Sequence, residues 1–203
     1  IRMVLRAGAD KASLNTAAIQ RPDLIREAAR KFGSSTIVVS IEAIRKSDGT
    51  YEAYTDNGRE KTGLNAVEWA RQAVELGAGE LLVTSIDREG TGLGFDVELT
   101  RKISECVSVP VIACGGAGKK EHIHEVIATG RAQAVCLASV LHYNFIQGYP
   151  VQEDRFAEEI NTAHLLDRRG FAKIADASLP EIKSFLNEQG IASRPSEAVE
   201  VHA

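Results

Sequence analysis

The 203-residue chain carries 24 lysines and arginines against 28 aspartates and glutamates, a net charge of −4, and is 44% hydrophobic with 5% aromatic residues. That length fits one domain and the apolar fraction supplies a sizeable core, which excludes a disordered chain. Interspersed charges of both signs exclude a broad nucleic-acid or anionic-membrane surface, so anion recognition must be local.

In chain order, Lys11 to Leu14 is the first strand candidate. Pro22 with Asp23 opens a helix that runs to Phe32 and stops at Gly33, the Pro-first, Gly-last asymmetry of helix ends. Thr36 to Ile41 reads as a second strand, and Glu52 to Thr55 with Asp56-Asn57-Gly58 as a small hairpin inserted after it. Ala66, Val67, Trp69, Ala70, Ala73, Val74 and Leu76 share one helical face ending at Gly77. Strands over Leu81 to Ile86, Val109 to Ala113 and Ala134 to Ala138 then alternate with helices over Asp96 to Val107 and Lys120 to Thr129. From Tyr143 to Leu179 the pattern turns irregular, with a helical stretch over Arg155 to Arg169. Pro180 starts a last helix, Glu181 to Gln189, closed by Gly190, and the tail after Ser193 frays. The expected organisation is one domain over 1–203: strand–helix units over 1–142, a divergent insertion over 143–179, a terminal helix over 180–192 and a tail over 193–203.

The five strand candidates are continuous runs of Val, Ile and Leu instead of alternating ones, which predicts a parallel sheet buried on both faces and joined by right-handed helical crossovers. A closed (β/α)8 barrel needs eight strands. Five would leave apolar side chains and two raw edges in water, so a homo-oligomer, most simply a homodimer, is expected. Cys106, Cys114 and Cys136 are odd in number and unrelated in spacing, and two lie in strand-like runs where a thiol acts as a small core residue. They point to a reducing cytoplasm. No run is long enough to span a bilayer.

Polar residues gather where the apolar runs end. Glu42 and Glu89 each follow a buried strand, and such a carboxylate either faces the rim cavity or pairs with Lys11, Arg45 or Arg88. The cavity is the expectation for Glu42, and Asp87 is expected to be a structural partner. Gly90, Gly115, Gly116 and Gly118 can bring backbone N–H groups against a phosphate, and Ser139 adds a hydroxyl near a helix start. Thr84, Ser85 and Asn57 can hydrogen-bond a substrate's middle, although Thr84 is also a plain β-former. Lys11 and Glu80 open strands, at the end opposite the chemistry. Residues 9–16 align faintly with residues 132–139, either by chance or because two similar halves each carry an anion site. The histidines His122, His124, His142, His164 and His202 have no ligand spacing, so neither metal nor cofactor is expected.

Several motifs together carry a resemblance. Gly8-Ala9-Asp10-Lys11 with Asn15-Thr16-Ala17-Ala18, Thr62-Gly63, Gly77-Ala78-Gly79-Glu80, Thr84-Ser85-Ile86-Asp87-Arg88-Glu89-Gly90-Thr91, Gly115-Gly116-Ala117-Gly118 and Ala138-Ser139-Val140 occur in order between Val4 and His142. Together they resemble the cyclase subunit of imidazole glycerol phosphate synthase, of histidine biosynthesis. Paralogues that pair with an amidotransferase in surface-sugar biosynthesis share much of the pattern. The resemblance implies a (β/α)8 TIM barrel of which this chain holds strands four to eight, the first three having no counterpart. It implies a lyase-type reaction, ammonia-dependent ring closure on a bis-phosphorylated precursor. The family uses two aspartates for this, at the ends of the first and fifth strands. The second falls on Glu42, and Glu89 matches a further aspartate near the substrate. By resemblance Gly90, Gly116, Ala138 and Ser139 hold one substrate phosphate and Asn15 and Thr16 contribute to the other. Lys11 and Glu80 match a charged ring where ammonia enters from a glutaminase partner, or they are plugs. With one carboxylate lacking and the other a glutamate, the chain alone is expected to be a weak enzyme, the alternative being a non-catalytic phosphate-binding half-barrel.

Overall fold

The computed structural model describes residues 1–148 and 173–195. Its elements are α1 (Arg2–Arg6), β1 (Ala12–Leu14), α2 (Thr16–Gln20), α3 (Asp23–Phe32), β2 (Ile37–Arg45), β3 (Tyr51–Thr55), β4 (Glu60–Asn65), α4 (Ala66–Glu75), β5 (Glu80–Ser85), α5 (Val97–Ser104), β6 (Val111–Cys114), α6 (Lys120–Ala128), β7 (Ala134–Val135), α7 (Ser139–Gly148) and α8 (Leu179–Glu188). Seven strands form one sheet in the order β4-β3-β2-β5-β6-β7, with β1 also on β2. β1, β2, β5, β6 and β7 pair in parallel. The α/β class and the parallel sheet are as expected.

β2 explains how a hairpin fits into a parallel sheet. Its pairing with β5 spans Val38 to Ala43, so that edge is taken. β1 on Ile37 to Val39 and the antiparallel β3 on Glu42 to Arg45 must share the other edge end to end. Strand pairing past Ile41 is therefore supplied by β3, which is why β2 reaches Arg45, four residues beyond its sequence signal. The turn between β3 and β4 places Asp56, Asn57 and Gly58 at φ of 53°, 56° and 76°, left-handed values that Asn, Asp and Gly tolerate best.

Helix termini follow local chemistry. The Asn65 side chain accepts from the backbone N–H of Val67 at 2.9 Å and of Glu68 at 3.3 Å, starting α4. Asp96 accepts from Leu99 N–H at 2.9 Å to start α5 and also takes the Tyr51 hydroxyl at 3.0 Å. Ser178 and Glu181 form a reciprocal capping box at α8. From these helices Ile25, Ala28, Trp69, Ala70, Ala73, Leu99 and Ile103 pack on Ile37, Val39, Ile41, Ala43, Leu81, Val83 and Val111 of the sheet. Burying each large aliphatic chain there contributes about 1.5–3 kcal/mol. A second cluster joins Phe95, from the loop ahead of α5, to Ile123, Val126, Val140, Ile182 and Leu186 from α6 to α8.

Three expectations need correction. The strands are not buried on both faces: burial alternates, with Leu81, Val83 and Ser85 buried against the helices and Leu82 and Thr84 on the other face only half-buried. Helices cover one face, and among the described residues no second layer matches them. For the same reason Cys114 and Cys136 are not core residues, since both fall on that second face, half-buried and exposed respectively. Finally, Tyr143 does not begin an irregular stretch, because it sits inside α7, which continues to Gly148. The expected helix over Arg155 to Arg169 lies outside the described residues. No helix among the described residues is long and apolar enough to cross a membrane.

Candidate functional site

The loops after β5, β6 and β7 converge on a single cavity of about 100 Å³ lined by Glu89, Gly90, Gly92, Cys114, Gly115, Gly116, Ala117, Cys136, Leu137, Ala138 and Ser139. Six of the residues expected at the site, Glu89, Gly90, Gly115, Gly116, Ala138 and Ser139, meet here. Parallel strands run the same way, so their C-terminal ends share one rim and their loops face one another. The cavity is below the roughly 300–1,000 Å³ of a whole ligand pocket. Its volume matches one group the size of a phosphate.

Glycine is what lets the loops close. Gly94 N–H donates to Gly116 C=O at 2.7 Å, and a Cβ on Gly116, at φ 100°, would stand 2.3 Å from the Gly94 carbonyl oxygen. Gly118 lies as close to Gly92 and donates its N–H to His122 Nδ1 at 3.1 Å. His122 thus props the loop as an acceptor. Burial, with Lys119 nearby, holds its imidazole below the ordinary value and favours the neutral ring that can accept. Around the cavity the Gly116 N–H donates to no described group, and α7 points its N-terminus in at Ser139. Free N–H groups and a helix start attract an anion. Glu89 Oε2 lies against Gly115, 3.1 Å from where a Cβ would be. Gly92 and His122 were not singled out by sequence, because loop glycines are common and the histidine spacing suggested nothing.

A second set of groups follows from strand register. Glu42 opposes Thr84 and Thr84 opposes Cys114. The β6–β7 register, Ile112 to Ala134 and Ala113 to Val135, sets Cys136 beside Cys114. The row Glu42, Thr84, Cys114 and Cys136 therefore crosses the helix-free face just under the rim. Glu42 Oε2 is buried without a hydrogen-bond partner, and no described ion pair includes Glu42 or Glu89. Arg45 pairs instead with Glu98 at 2.8 Å, and Asp87 accepts from Arg45 N–H at 2.7 Å as a structural partner. The Cys136 thiol is lowered to about 7 by the hydrogen bond from Cys114, against a partial burial that opposes it. Donating that bond, together with burial, pushes the Cys114 thiol up.

The remaining candidates lie elsewhere. Ser85 differs from expectation: its side chain is buried at 2% exposure on the helix-facing side, opposite to Thr84, and its carbonyl accepts from Arg88 and Glu89 N–H to shape the loop. Asn15, Thr16 and Asn57 gather at the other end of the rim, where Thr16 Oγ1 accepts from Asp56 N–H at 3.1 Å and Asn15 Oδ1 is buried without a partner. Lys11 and Glu80, at the strand starts, form an ion pair with each other.

Among known proteins, the imidazole glycerol phosphate synthase subunit HisF of Alkaliphilus metalliredigens (strain QYMF) is 48% identical over 144 residues, which is 71% of this chain and 57% of that protein. The chain thus spans little more than half the length of that relative. Residues 1–147 match the family described as histidine biosynthesis protein, and with the parallel strands, glycine loops and motif order in agreement, the chain belongs to that family.

Proposed function

We propose that this chain is a cyclase-type domain of imidazole glycerol phosphate synthase, acting in ammonia-dependent ring closure on a bis-phosphorylated histidine precursor. The observation that carries the reading is the convergence of Gly90, Gly116, Ala138 and Ser139 on one cavity at the C-terminal ends of parallel strands, the usual place for a phosphate in this architecture. Asn15 and Thr16, at the far end of the same rim, take the second phosphate. Thr84 and Asn57 contact the substrate between them. Glu42, its oxygen unpaired, exchanges protons with the reacting nitrogens, and Glu89 orients the substrate beside the cavity.

The half-exposed Leu82 and Ile112 on the helix-free face support a single partial-barrel domain over 1–203 that self-associates, most simply as a homodimer. The Lys11–Glu80 pair at the strand starts forms part of a gate through which ammonia enters from a glutaminase subunit. Glu42 carries one methylene more than aspartate, and a displacement of about 1 Å can cost about a hundredfold in rate. The isolated chain is therefore a slow enzyme.

Inorganic phosphate tests the reading at its base. At a hundredfold excess over the dissociation constant it should stabilise the chain by about 2.7 kcal/mol, and the Gly116→Asp variant should lose that shift. An absent shift, or an equal one in the variant, refutes the phosphate subsite. Glu42→Gln should abolish whatever turnover the chain has while Glu42→Asp raises it. Size-exclusion chromatography should show an oligomer; a monomer at micromolar concentration that binds no apolar dye would refute self-association.

A further inference from the structure

We propose that Cys114 and Cys136 form an oxidisable dithiol on the floor of the rim cavity, which a peroxide converts to a cross-strand disulfide. Both line the cavity, and both are free thiols, Cys136 exposed to solvent and Cys114 half-buried behind it. The β6–β7 register sets them side by side, and Cys136 N–H donates to Ala113 C=O at 2.8 Å, so the ladder still holds where the sulfurs project. Parallel neighbours stand about 4.8 Å apart, inside the ~4.4–6.8 Å Cα separation that a disulfide spans.

The environment divides the labour between the two sulfurs. Cys114 donates its S–H to Cys136, so the more exposed sulfur is the one that carries thiolate near neutral pH. Glu89 pushes the Cys114 thiol further up, and the opposing pull from Thr84 in the same row is smaller than the push from the Cys136 bond and burial, leaving the exposed thiol as the attacking group. The Cys136 thiolate attacks one oxygen of the peroxide; the O–O bond breaks, one oxygen leaves as hydroxide that takes up a proton, and the other stays on sulfur as sulfenic acid. The Cys114 sulfur then attacks the sulfenic sulfur, the S–S bond forms, and the S–O bond breaks with water leaving on the Cys114 proton. In sum two thiols and one peroxide give one disulfide and two waters. Cys106 takes no part, because it sits at the end of α5 against the Val67 carbonyl.

Hydrogen peroxide on the folded full chain, read by intact mass and peptide mapping, tests this independently of any cyclase activity. The expected product has lost two hydrogens and joins the Cys114 and Cys136 peptides, and Cys106→Ser forms it equally well. Cys114→Ser should stop at a Cys136 sulfenic acid trapped by a cyclic 1,3-diketone, and Cys136→Ser should leave Cys114 reduced. These near-isosteric variants keep the fold, checked by circular dichroism. Overoxidation of Cys136 to sulfinic acid without a disulfide in the wild-type chain, a disulfide to Cys106, or no reaction overturns the proposal.

Discussion

Replacing Gly116 by alanine separates what a left-handed backbone costs from what a close approach costs. At φ 100° an L side chain is strained by about 1–2 kcal/mol. Its Cβ would also stand 2.3 Å from the Gly94 carbonyl oxygen and 2.8 Å from Arg88 Cβ. The Gly94 N–H bond to Gly116 C=O at 2.7 Å prevents the loops from parting to make room. Overpacking of this kind costs about 1–3 kcal/mol, so Gly116→Ala should lose about 2–5 kcal/mol of a stability of order 5–15 kcal/mol. Gly90 is the control: its φ is 70°, yet nothing lies within 4 Å of a Cβ there, so Gly90→Ala should lose only the strain, about 1–2 kcal/mol. Urea unfolding followed by emission of Trp69, the chain's one tryptophan, buried at 2% exposure, reads both. Equal losses in the two variants would refute the argument that loop contact, and not backbone conformation alone, requires glycine at 116.

Three further perturbations follow from the same geometry. His122 has its folded value below the ordinary 6.5 through burial and Lys119, so its share of stability is present above that value and lost as pH falls through the folded value; the urea midpoint should drop between about pH 7.5 and about pH 5, and less so in His122→Gln. Tyr51→Phe removes the 3.0 Å bond to Asp96 and should cost about 1 kcal/mol in urea unfolding, while in the wild-type chain an alkaline absorbance titration should find Tyr51 ionising above the ordinary phenol range, because burial and Asp96 both oppose its anion. Asn65→Ala deletes the cap of α4 and should cost about 1 kcal/mol; Lys119→Ala, at an α6 start without a side-chain cap, should cost nothing by this route.

Much of the architecture is written in local chemistry. Pro22 and Gly33 bracket a helix with side chains that act within a turn of themselves, and α3 begins and ends where they put it. The hairpin turn at Asp56-Asn57-Gly58 is legible for the same reason, since few residues tolerate successive positive φ values. The glycine loops and Ser139 were legible as anion-binding candidates because bare N–H groups after a strand have a chemistry of their own. The motif order along the chain was enough to identify the family.

What the sequence could not determine is everything that depends on a partner far away in the chain. β2 extends to Arg45 because β3 pairs with it, and no residue in β2 announces that pairing. Apolar runs suggested strands buried on both faces, yet a run of Val, Ile and Leu cannot say whether a second layer covers it; only the packing of α3 to α5 on one side does. Ser85 and Thr84 are neighbours of similar chemistry that the pleat sends to opposite faces. Cys114 and Cys136 are 22 positions apart in sequence, and it is strand register, a property of the assembled sheet, that brings two sulfurs to one floor.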